Sequence, residues 1–410
     1  MPCLLRESLL PYKCLLECEN SPILKEFPNR VIRYFGLNAF ELYLHRLHIT
    51  NFRNYRQVSA EFDQTVQCLL GPNGSGKTNL LDAIHYLSYT RSSLNSTDAQ
   101  NVMTGEQQFV IRGTFVREQA PQELACAYQA GQKKNVLENG IEYTRLSHHL
   151  GKYPAVLIAP GDIELVWDGS EIRRKFFDSV ISQIDRVYLD HLITYNAHLK
   201  MRNAMLRHFS EKGKVDRDLL ESNDSKMVPA GDFVHARRKS FLEEFAPVIV
   251  EGYQAISGKK DEITSIRYIS DQNESSLADL LEKSLQRDLV LQRTTVGVHR
   301  DDFEFLLNGF ELKRYGSQGQ QKSFLVGLKL AEFGIIHRKK NFKPILLLDD
   351  IFDKLDDTRI SRLVTLMNQD VFGQVFLTDA RPGRTTDLLK TAGIKAKVHS
   401  VESGNLYPAP

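Results

Sequence analysis

The stretch GPNGSGKT at 71–78 has the residue types and spacing of a phosphate-binding loop. It lies between an apolar run at 66–70 and a helical pattern of leucine and isoleucine at 80–87. Glycines let successive backbone N–H groups surround a phosphate, the lysine reaches the β and γ phosphates, and the threonine hydroxyl binds Mg²⁺. The sequence therefore predicts an ATP site, with Lys77 also catalytic and Thr78 also a metal ligand. The predicted binding residues are Gly71, Pro72, Asn73, Gly74, Ser75, Gly76, Lys77 and Thr78.

A second acidic element is expected at the end of a buried strand, and PILLLDD at 344–350 has that pattern. Four consecutive apolar residues indicate a strand of a parallel sheet, and two aspartates follow it. Asp349 is predicted to hold Mg²⁺ together with Thr78. Asp350, one residue further on, is predicted to be catalytic by orienting the attacking water.

The polar run YGSQGQQKS at 315–323 precedes an apolar helical stretch. Ser317, Gly319 and Gln320 would present a hydroxyl and bare N–H groups at the start of that helix, which is a place where anions bind. Together with the wide separation of the first two motifs, this element resembles that of ATP-binding-cassette heads. The resemblance implies that it contacts the ATP of a second copy, so that ATP binding forms a homodimer. The alternative is a plain N-cap that serves only its own helix.

The elements that must position these residues fit an ordinary globular chain. It has 410 residues and a net charge of +2, enough for two or three domains and no strongly basic tail. Alternating apolar residues at Leu42, Leu44, Leu47 and Ile49 predict a half-buried strand. Apolar stretches are shorter than a membrane span, so we expect a soluble cytoplasmic protein without membrane partners. Five cysteines without a CxxC pair favour neither a disulfide framework nor a metal site.

The domain organisation follows from where the motifs lie. Residues 42–165 and 295–410 carry them and would form two halves of one head, whereas 166–294 would be an inserted, mainly helical lobe. We expect one helix capped by Ser170 and another at 231–256 to form a short antiparallel arm, joined by a flexible polar loop at 211–226. Residues 1–41 would be a poorly ordered extension or the product of an upstream start codon.

Basic residues of the inserted region are candidates for contacts with DNA phosphates, and a solvated helix face explains them equally well. They are Arg173, Arg174, Lys175, Arg186, Lys200, Arg202 and Arg207, with Arg237, Arg238 and Lys239. The sequence HRDDF also allows a metal or catalytic role for His299, Asp301 and Asp302. A turn at the end of a strand, which structures the head, is the favoured interpretation.

With these motifs the chain resembles the RecF family of bacterial recombination mediators, which are related to the heads of SMC proteins. The resemblance rests on NFRNY at 51–55, EIRRKFFD at 171–178, YNAHLKMRNAMLR at 195–207, VHRDDF at 298–303, YGSQGQQKS at 315–323 and LLLDDIFDKLDDTR at 346–359. It implies an α/β fold: an ABC-type P-loop ATPase head with an inserted, mainly helical lobe. Asp350 replaces the glutamate of transporter heads and Asp379 their histidine, which favours slow hydrolysis.

The family further implies an ATP-dependent DNA-binding protein of recombinational repair, replication and the SOS response. Two heads would close on double-stranded or gapped DNA, and a weak, DNA-stimulated ATPase would act as a switch. RecR and RecO are the implied partners, and RecA the recombinase that is loaded. Arg53 is expected to reach the nucleotide, by carry-over from related heads. The alternatives are an ABC transporter ATPase and a nucleotide-dependent scaffold that does not hydrolyse ATP.

Overall fold

The computed structural model of the chain describes residues 42–63, 66–353, 355–369 and 371–408. The predictions for residues 1–41 lie outside these ranges, as do Cys3, Cys14 and Cys18. Cys68 and Cys126 are buried free thiols. The strands and helices are numbered below in chain order.

The strands are β1 (Leu42–Phe52), β2 (Tyr55–Glu61), β3 (Val66–Leu70), β4 (Gln108–Arg117), β5 (Ala120–Gln129), β6 (Asn135–Glu138), β7 (Ile141–Glu142), β8 (Ala155–Ile158), β9 (Thr264–Ile269), β10 (Asp302–Leu307), β11 (Phe310–Glu311), β12 (Ile345–Leu348), β13 (Val375–Asp379), β14 (Ala396–Glu402) and β15 (Asn405–Pro408). The helices are α1 (Lys77–Tyr89), α2 (Glu164–Trp167), α3 (Ser170–Ile184), α4 (Arg186–Lys212), α5 (Arg217–Ser257), α6 (Leu277–Leu291), α7 (Leu312–Tyr315), α8 (Gln318–Lys340), α9 (Asp357–Asn368) and α10 (Pro382–Thr391). No helix within these described ranges is both long enough and apolar enough to cross a membrane.

An antiparallel sheet in the order β2-β1-β4-β5-β6-β7 forms one layer of the head. The apolar residues predicted to face inward on β1, Leu42, Leu44, Leu47 and Ile49, are all buried. Their phase changes between Leu44 and Leu47 because the pairing of β1 with β4 has a bulge after Leu44. This extra residue lets both halves of the strand turn apolar side chains to the same core.

A second sheet, in the order β15-β14-β3-β13-β12-β8, holds the motifs. Five consecutive strands, β14, β3, β13, β12 and β8, run parallel, and β15 pairs antiparallel with β14 at one edge. β3 and β12 are buried at every residue, as expected for parallel strands covered on both faces. Because parallel strands end at the same edge, the loop after β3 lies beside the residues that follow β12 and β13.

Helix α1 lies between the two sheets and is apolar on more than one side. Its Leu80, Ile84 and Leu87 are fully buried and belong to the same core cluster as Leu47 and Ile49 of β1. This packing fixes the axis of α1, and with it the direction in which the start of the helix points.

The inserted region has more helices than predicted. The single helix expected from Ser170 is wrong, because the chain is extended at Asp185 and starts a new helix there. The Asp185 carboxylate accepts a hydrogen bond from the backbone N–H of Tyr188 at 3.0 Å and caps α4. Ser170 is the first residue of α3, and its N-cap is Gly169.

The predicted loop at 211–226 is also wrong. Only residues 213–216 separate α4 from α5, and the two helices run antiparallel. Asp216 caps α5 by accepting from the N–H of Leu219 at 3.0 Å. Leu220, Asn223 and Met227 are buried at helical spacing, so this polar segment has one inward-facing stripe.

A strand that the sequence did not predict follows the long helix α5. β9 pairs with β10 in the sheet β11-β10-β9, and thus joins the end of the inserted region to the last third of the chain. We keep the boundaries of the lobe at 166 and 294 as a proposal.

Helices α5 and α8 cross with their backbones in contact. A Cβ atom on Gly252 would lie 2.4 Å from the carbonyl oxygen of Gly327, and one on Gly327 would lie 2.7 Å from the nitrogen of Tyr253. Only glycine fits at either position without a shift of the helices.

Candidate nucleotide site

The phosphate-binding loop has the backbone conformation that its glycines make possible. Gly74 and Gly76 have φ of 79° and 116°, in the left-handed region that favours glycine. A Cβ on Gly76 would also lie 2.4 Å from the side-chain nitrogen of Asn54. Residues 71–76 therefore form a tight loop that leads directly into the start of α1, which is an anion-binding arrangement.

Lys77 folds back over this loop. Its ammonium group is buried and donates to the carbonyl oxygens of Gly71 at 2.9 Å and Pro72 at 3.1 Å. The charge is thus held next to the loop's N–H groups, where an anion would bind. A phosphate oxygen could take the place of these carbonyls as a stronger, charged acceptor.

Thr78 and Asp349 are in contact, although most of the chain separates them. The Thr78 hydroxyl lies 3.0 Å from each oxygen of the Asp349 carboxylate, and Thr378 donates to Oδ1 of the same group at 2.8 Å. Burial raises the pKa of Asp349, and the hydrogen bonds from Thr378 and Thr78 oppose that rise. A buried carboxylate beside a hydroxyl fits Mg²⁺, which takes one or two carboxylates and completes its shell with phosphates and water.

Asp350 and Asp379 have different surroundings. Asp350 has a left-handed backbone, with φ of 47°, and its N–H donates to the Thr378 hydroxyl at 2.9 Å. Its side chain is half-buried at the same sheet edge. Asp379 is buried and accepts from the Thr385 hydroxyl and from the N–H of Arg381. Asp379 therefore fixes the start of α10 by hydrogen bonds within the fold.

The motif NFRNY, at 51–55, holds the phosphate-binding loop in place by hydrogen bonds to its carbonyl groups. The Tyr55 hydroxyl donates to the carbonyl of Gly76 at 2.9 Å, and the Asn54 amide donates to that of Ser75 at 3.1 Å. Asn79 in turn donates to Asn54 at 2.7 Å. The sequence predicted no role for Asn54 and Tyr55. The available signal was an amide and a phenol at the turn between β1 and β2.

Arg53, expected to reach the nucleotide, has its guanidinium group occupied within the fold. It forms an ion pair with Asp82 at 2.8 Å and donates to Asn79 at 2.8 Å, with further bonds to Ser92 and Asn101. In this arrangement Arg53 holds the network that ends at Asn54 and Ser75. Its contact with a nucleotide stays a prediction.

The run YGSQGQQKS caps helix α8. The Ser317 hydroxyl accepts from the N–H of Gln320 at 3.3 Å, and the Gln320 side chain accepts from the N–H of Ser317 at 2.8 Å. Gln320 also donates to Glu262 at 2.9 Å. The plain N-cap, weighed as an alternative, is thus present in the single chain. Ser317 is nevertheless exposed, so the helix start remains accessible to a second molecule.

Gly319 faces Arg359, a residue for which the sequence predicted no role. A Cβ on Gly319 would lie 2.9 Å from the guanidinium of Arg359, whose Nε donates to the Ser323 hydroxyl at 2.6 Å. Arg359 lies on α9, which follows β12 and its two aspartates in sequence. It therefore joins this segment to the start of α8. The start of α8, with Ser317, Gly319 and Gln320, thus lies beside Arg359. Within the described part of the chain, these three residues form no hydrogen bond with the phosphate-binding loop.

Several of the predicted DNA-contacting arginines have structural roles instead. Arg202 and Arg238 are each only 1% exposed. Arg202 pairs with Asp288 at 2.6 Å, and Arg238 pairs with Asp178 and Asp301 at 2.9 Å. A buried charge requires such partners. The prediction that these two arginines contact DNA is therefore wrong. Further internal pairs join Arg173 to Asp302 and Arg237 to Asp185, and Arg174 donates to the carbonyl of Asp301.

The HRDDF sequence forms the predicted structural turn. The Tyr195 hydroxyl hydrogen-bonds Nδ1 of His299 at 2.7 Å, and Asp301 accepts from Arg238 and Tyr268. Burial lowers the pKa of His299 to about 4. These side chains tie the lobe to the head and form no metal site.

Known proteins with a similar sequence identify the family. The family model described as RecF/RecN/SMC N terminal domain matches residues 43–141. The chain is 40% identical over 360 residues to the DNA replication and repair protein RecF of Flavobacterium johnsoniae, which covers 88% of this chain and 100% of that protein. It is 41% identical over 362 residues to the protein of the same name from Bacteroides fragilis, covering 88% of this chain and 97% of that one.

Solved structures agree. The recombination mediator protein RecF-ATP in the RecFOR pathway superposes with a TM-score of 0.81 at 31% identity, covering 91% of this chain and 99% of that one. An Smc head domain from Pyrococcus furiosus shares the fold, with a TM-score of 0.52 at 17% identity over 90% of this chain and 96% of that chain. The predicted α/β fold, an ABC-type ATPase head with an inserted helical lobe, is confirmed. At these identities over most of its length, the chain belongs to the RecF family.

Proposed function

We propose that this chain is an ATP-dependent DNA-binding protein of recombinational repair and replication, in which ATP joins two copies head to head. The observation that carries the nucleotide part is the contact of Thr78 with Asp349 beside Lys77. The DNA part is supported by family membership, because the relatives are named for DNA replication and repair.

In this proposal, the backbone N–H groups that follow Pro72 in the loop and the Lys77 ammonium hold the β and γ phosphates of ATP. Thr78 and Asp349 hold Mg²⁺, which would neutralise charge that develops on the phosphates. Asp350 lies one residue beyond Asp349 and orients the attacking water. Asp379 takes no direct part, because hydrogen bonds within the fold already hold its side chain. Arg53, next to the loop through Asn79 and Asn54, is proposed to reach the nucleotide as well.

The second half of each nucleotide site comes from another copy. The exposed start of α8 presents Ser317 and the N–H groups that follow, and the positive end of its helix dipole favours an anion. Gly319 allows close approach of the backbone. Gln320 positions Ser317 through the capping box. ATP would therefore hold two molecules together until slow, DNA-stimulated hydrolysis separates them.

The proposal extends to partners. The similar solved structure is described as a recombination mediator in the RecFOR pathway. We propose that the ATP-bound dimer sits on duplex DNA beside a gap and acts with RecR and RecO to help load RecA.

Sedimentation velocity of the purified protein, with and without ATP and Mg²⁺ and with a gapped duplex, tests the dimer and DNA binding together. We expect monomer without ATP, dimer with ATP, and ATP-dependent co-sedimentation with the duplex. A Lys77→Ala variant should stay monomeric in all conditions. A wild-type protein that remains monomeric at saturating ATP and at every concentration would overturn the proposal.

A further inference from the structure

The basic residues of the lobe separate into two groups once their contacts are known. Residues of the first group, such as Arg202 and Arg238, form ion pairs within the fold. The other consists of exposed cations that form no ion pair within the described ranges. It includes Lys200, Arg207 and Arg293 of the lobe, and Arg300 follows directly beyond its boundary.

These four cations lie on one side of the lobe. Lys200 and Arg207 are seven residues apart on α4, about two helical turns, and so share a face with Asn203. That face carries the loop at 292–299, because Asn203 accepts from the N–H of Thr294 at 2.7 Å.

The loop is fixed to α4 at two further points. Gln292 donates to the Ser210 hydroxyl at 3.2 Å, and His299 contacts Tyr195 at 2.7 Å. Arg293 lies within this loop and Arg300 directly follows it, so both lie along α4, the helix that carries Lys200 and Arg207. We call these four residues the lobe basic surface.

We propose that the lobe basic surface binds the phosphate backbone of duplex DNA, an inference that rests on the proposed function. Asp288, on the last turn of α6 just before the loop, is buried and already pairs with Arg202, so it does not neutralise the surface. Glu211, one turn beyond Arg207, is the acidic residue at its edge.

The chemistry of the surface indicates the kind of contact. The surface consists of exposed lysine and arginine side chains, which bind phosphates and thereby give no base discrimination. Such binding releases counterions, so the affinity falls with rising salt. The surface should therefore take any duplex sequence and should be sensitive to ionic strength.

The test is fluorescence anisotropy with a labelled duplex, in the presence of ATP and Mg²⁺, across a series of salt concentrations. The variant is Lys200→Glu, Arg207→Glu and Arg293→Glu together. We expect at least a roughly tenfold loss of affinity and a salt slope that is lower by about 0.9 for each phosphate contact removed. The matched control carries the same charge change at exposed lysines elsewhere, Lys133→Glu, Lys390→Glu and Lys395→Glu, and should bind DNA as the wild type does.

ATP binding and the ATP-dependent dimer should be unchanged in both variants, which shows that each is folded. If the wild type binds no duplex at all, the proposed function fails. If the wild type binds and the lobe variant binds with equal affinity and slope, the proposed function stands and the assignment of this surface is overturned. Binding of labelled poly-glutamate is measured in the same way. If the lobe variant keeps its DNA affinity but no longer binds poly-glutamate, the assignment to DNA is overturned in favour of an acidic protein partner.

Discussion

The hydroxyl of Tyr55 donates a hydrogen bond of 2.9 Å to the backbone carbonyl of Gly76 and so joins the second strand to the phosphate-binding loop. Burial raises the pKa of Tyr55, which keeps the phenol protonated and able to donate. The loop is thus held by a hydrogen bond from the first residue of β2.

Replacing Tyr55 with Phe removes this donor and little else. Because the buried carbonyl of Gly76 then has one partner fewer, we expect unfolding to cost about 1 kcal/mol less. The dissociation constant for ATP should rise by roughly fivefold if that energy falls on the loop's conformation. Urea denaturation and titration with a fluorescent ATP analogue measure the two effects. Tyr43→Phe, on a strand but away from the loop, is the control, and equal ATP affinity in both variants would contradict a support role.

Ser317 should matter to the dimer beyond its role as a cap. Ser317→Ala and Ser276→Ala each remove a side-chain N-cap, from α8 and α6 respectively, and each should cost about 1 kcal/mol of stability. Only the Ser317 variant should weaken the ATP-dependent dimer, as measured by sedimentation. Ser317→Arg should abolish the dimer while ATP binding persists. A dimer that survives Ser317→Arg would rule out the contact between copies.

Asp350→Asn tests the catalytic role. The amide keeps the size of the side chain but is a far weaker acceptor, so ATP turnover should fall by about a hundredfold or more. ATP binding should be unaffected, and the dimer should last longer because hydrolysis no longer separates it. Phosphate release with and without duplex DNA is the measurement, with the exposed Asp387→Asn as control. Equal rates for Asp350→Asn and wild type would favour a scaffold that does not hydrolyse ATP.

His299 should make the fold sensitive to acid. Burial lowers its pKa from 6.5 to about 4, and the hydrogen bond to the Thr294 carbonyl opposes that fall. In the folded chain the neutral ring donates to Thr294 and accepts from Tyr195. The unfolded chain binds a proton at higher pH than the folded chain does. The stabilisation is therefore complete above about pH 6.5 and is lost as the pH falls towards 4.

For this one histidine, the loss between about pH 7.5 and pH 5 should be roughly 2 kcal/mol. Urea denaturation of wild type and His299→Gln at both pH values measures it as the difference between their pH dependences. His208, exposed on α4, replaced in the same way should keep the wild-type dependence. An identical pH dependence for His299→Gln and wild type would mean that another group is responsible.

The parts of the molecule that could be predicted are those whose geometry is dictated locally. GPNGSGKT needs its glycines for its own backbone, and the strand 345–348 is apolar at every position because both faces are covered. The aspartates after that strand could be placed beside the loop because parallel strands share an edge. The residues that join distant segments could not be predicted, such as Thr378 beneath Asp349 and Arg359 beside Gly319.

The lobe shows why charge patterns were harder to interpret. Lys200 and Arg202 are two residues apart on one helix, yet one is exposed and the other is buried against Asp288, far along the chain. Nothing near Arg202 in sequence specifies that partner. The polar segment 211–226 resembled a loop for a related reason, because an exposed helix face has the same composition. The capping residue Asp216 and the spacing of Leu220 and Met227 were the available signs of helix.

The glycine contact between α5 and α8 has a mechanical consequence. Since the two backbones touch where Gly252 meets Gly327, with no side chain between them, a tilt of one helix would press directly on the other. The serine that would touch a neighbour's ATP stands at one end of α8, while α5 leads out to the tip of the arm. Through this contact, the binding of Ser317 to the ATP of another copy would be transmitted from α8 to α5 and along α5 to the far end of the lobe.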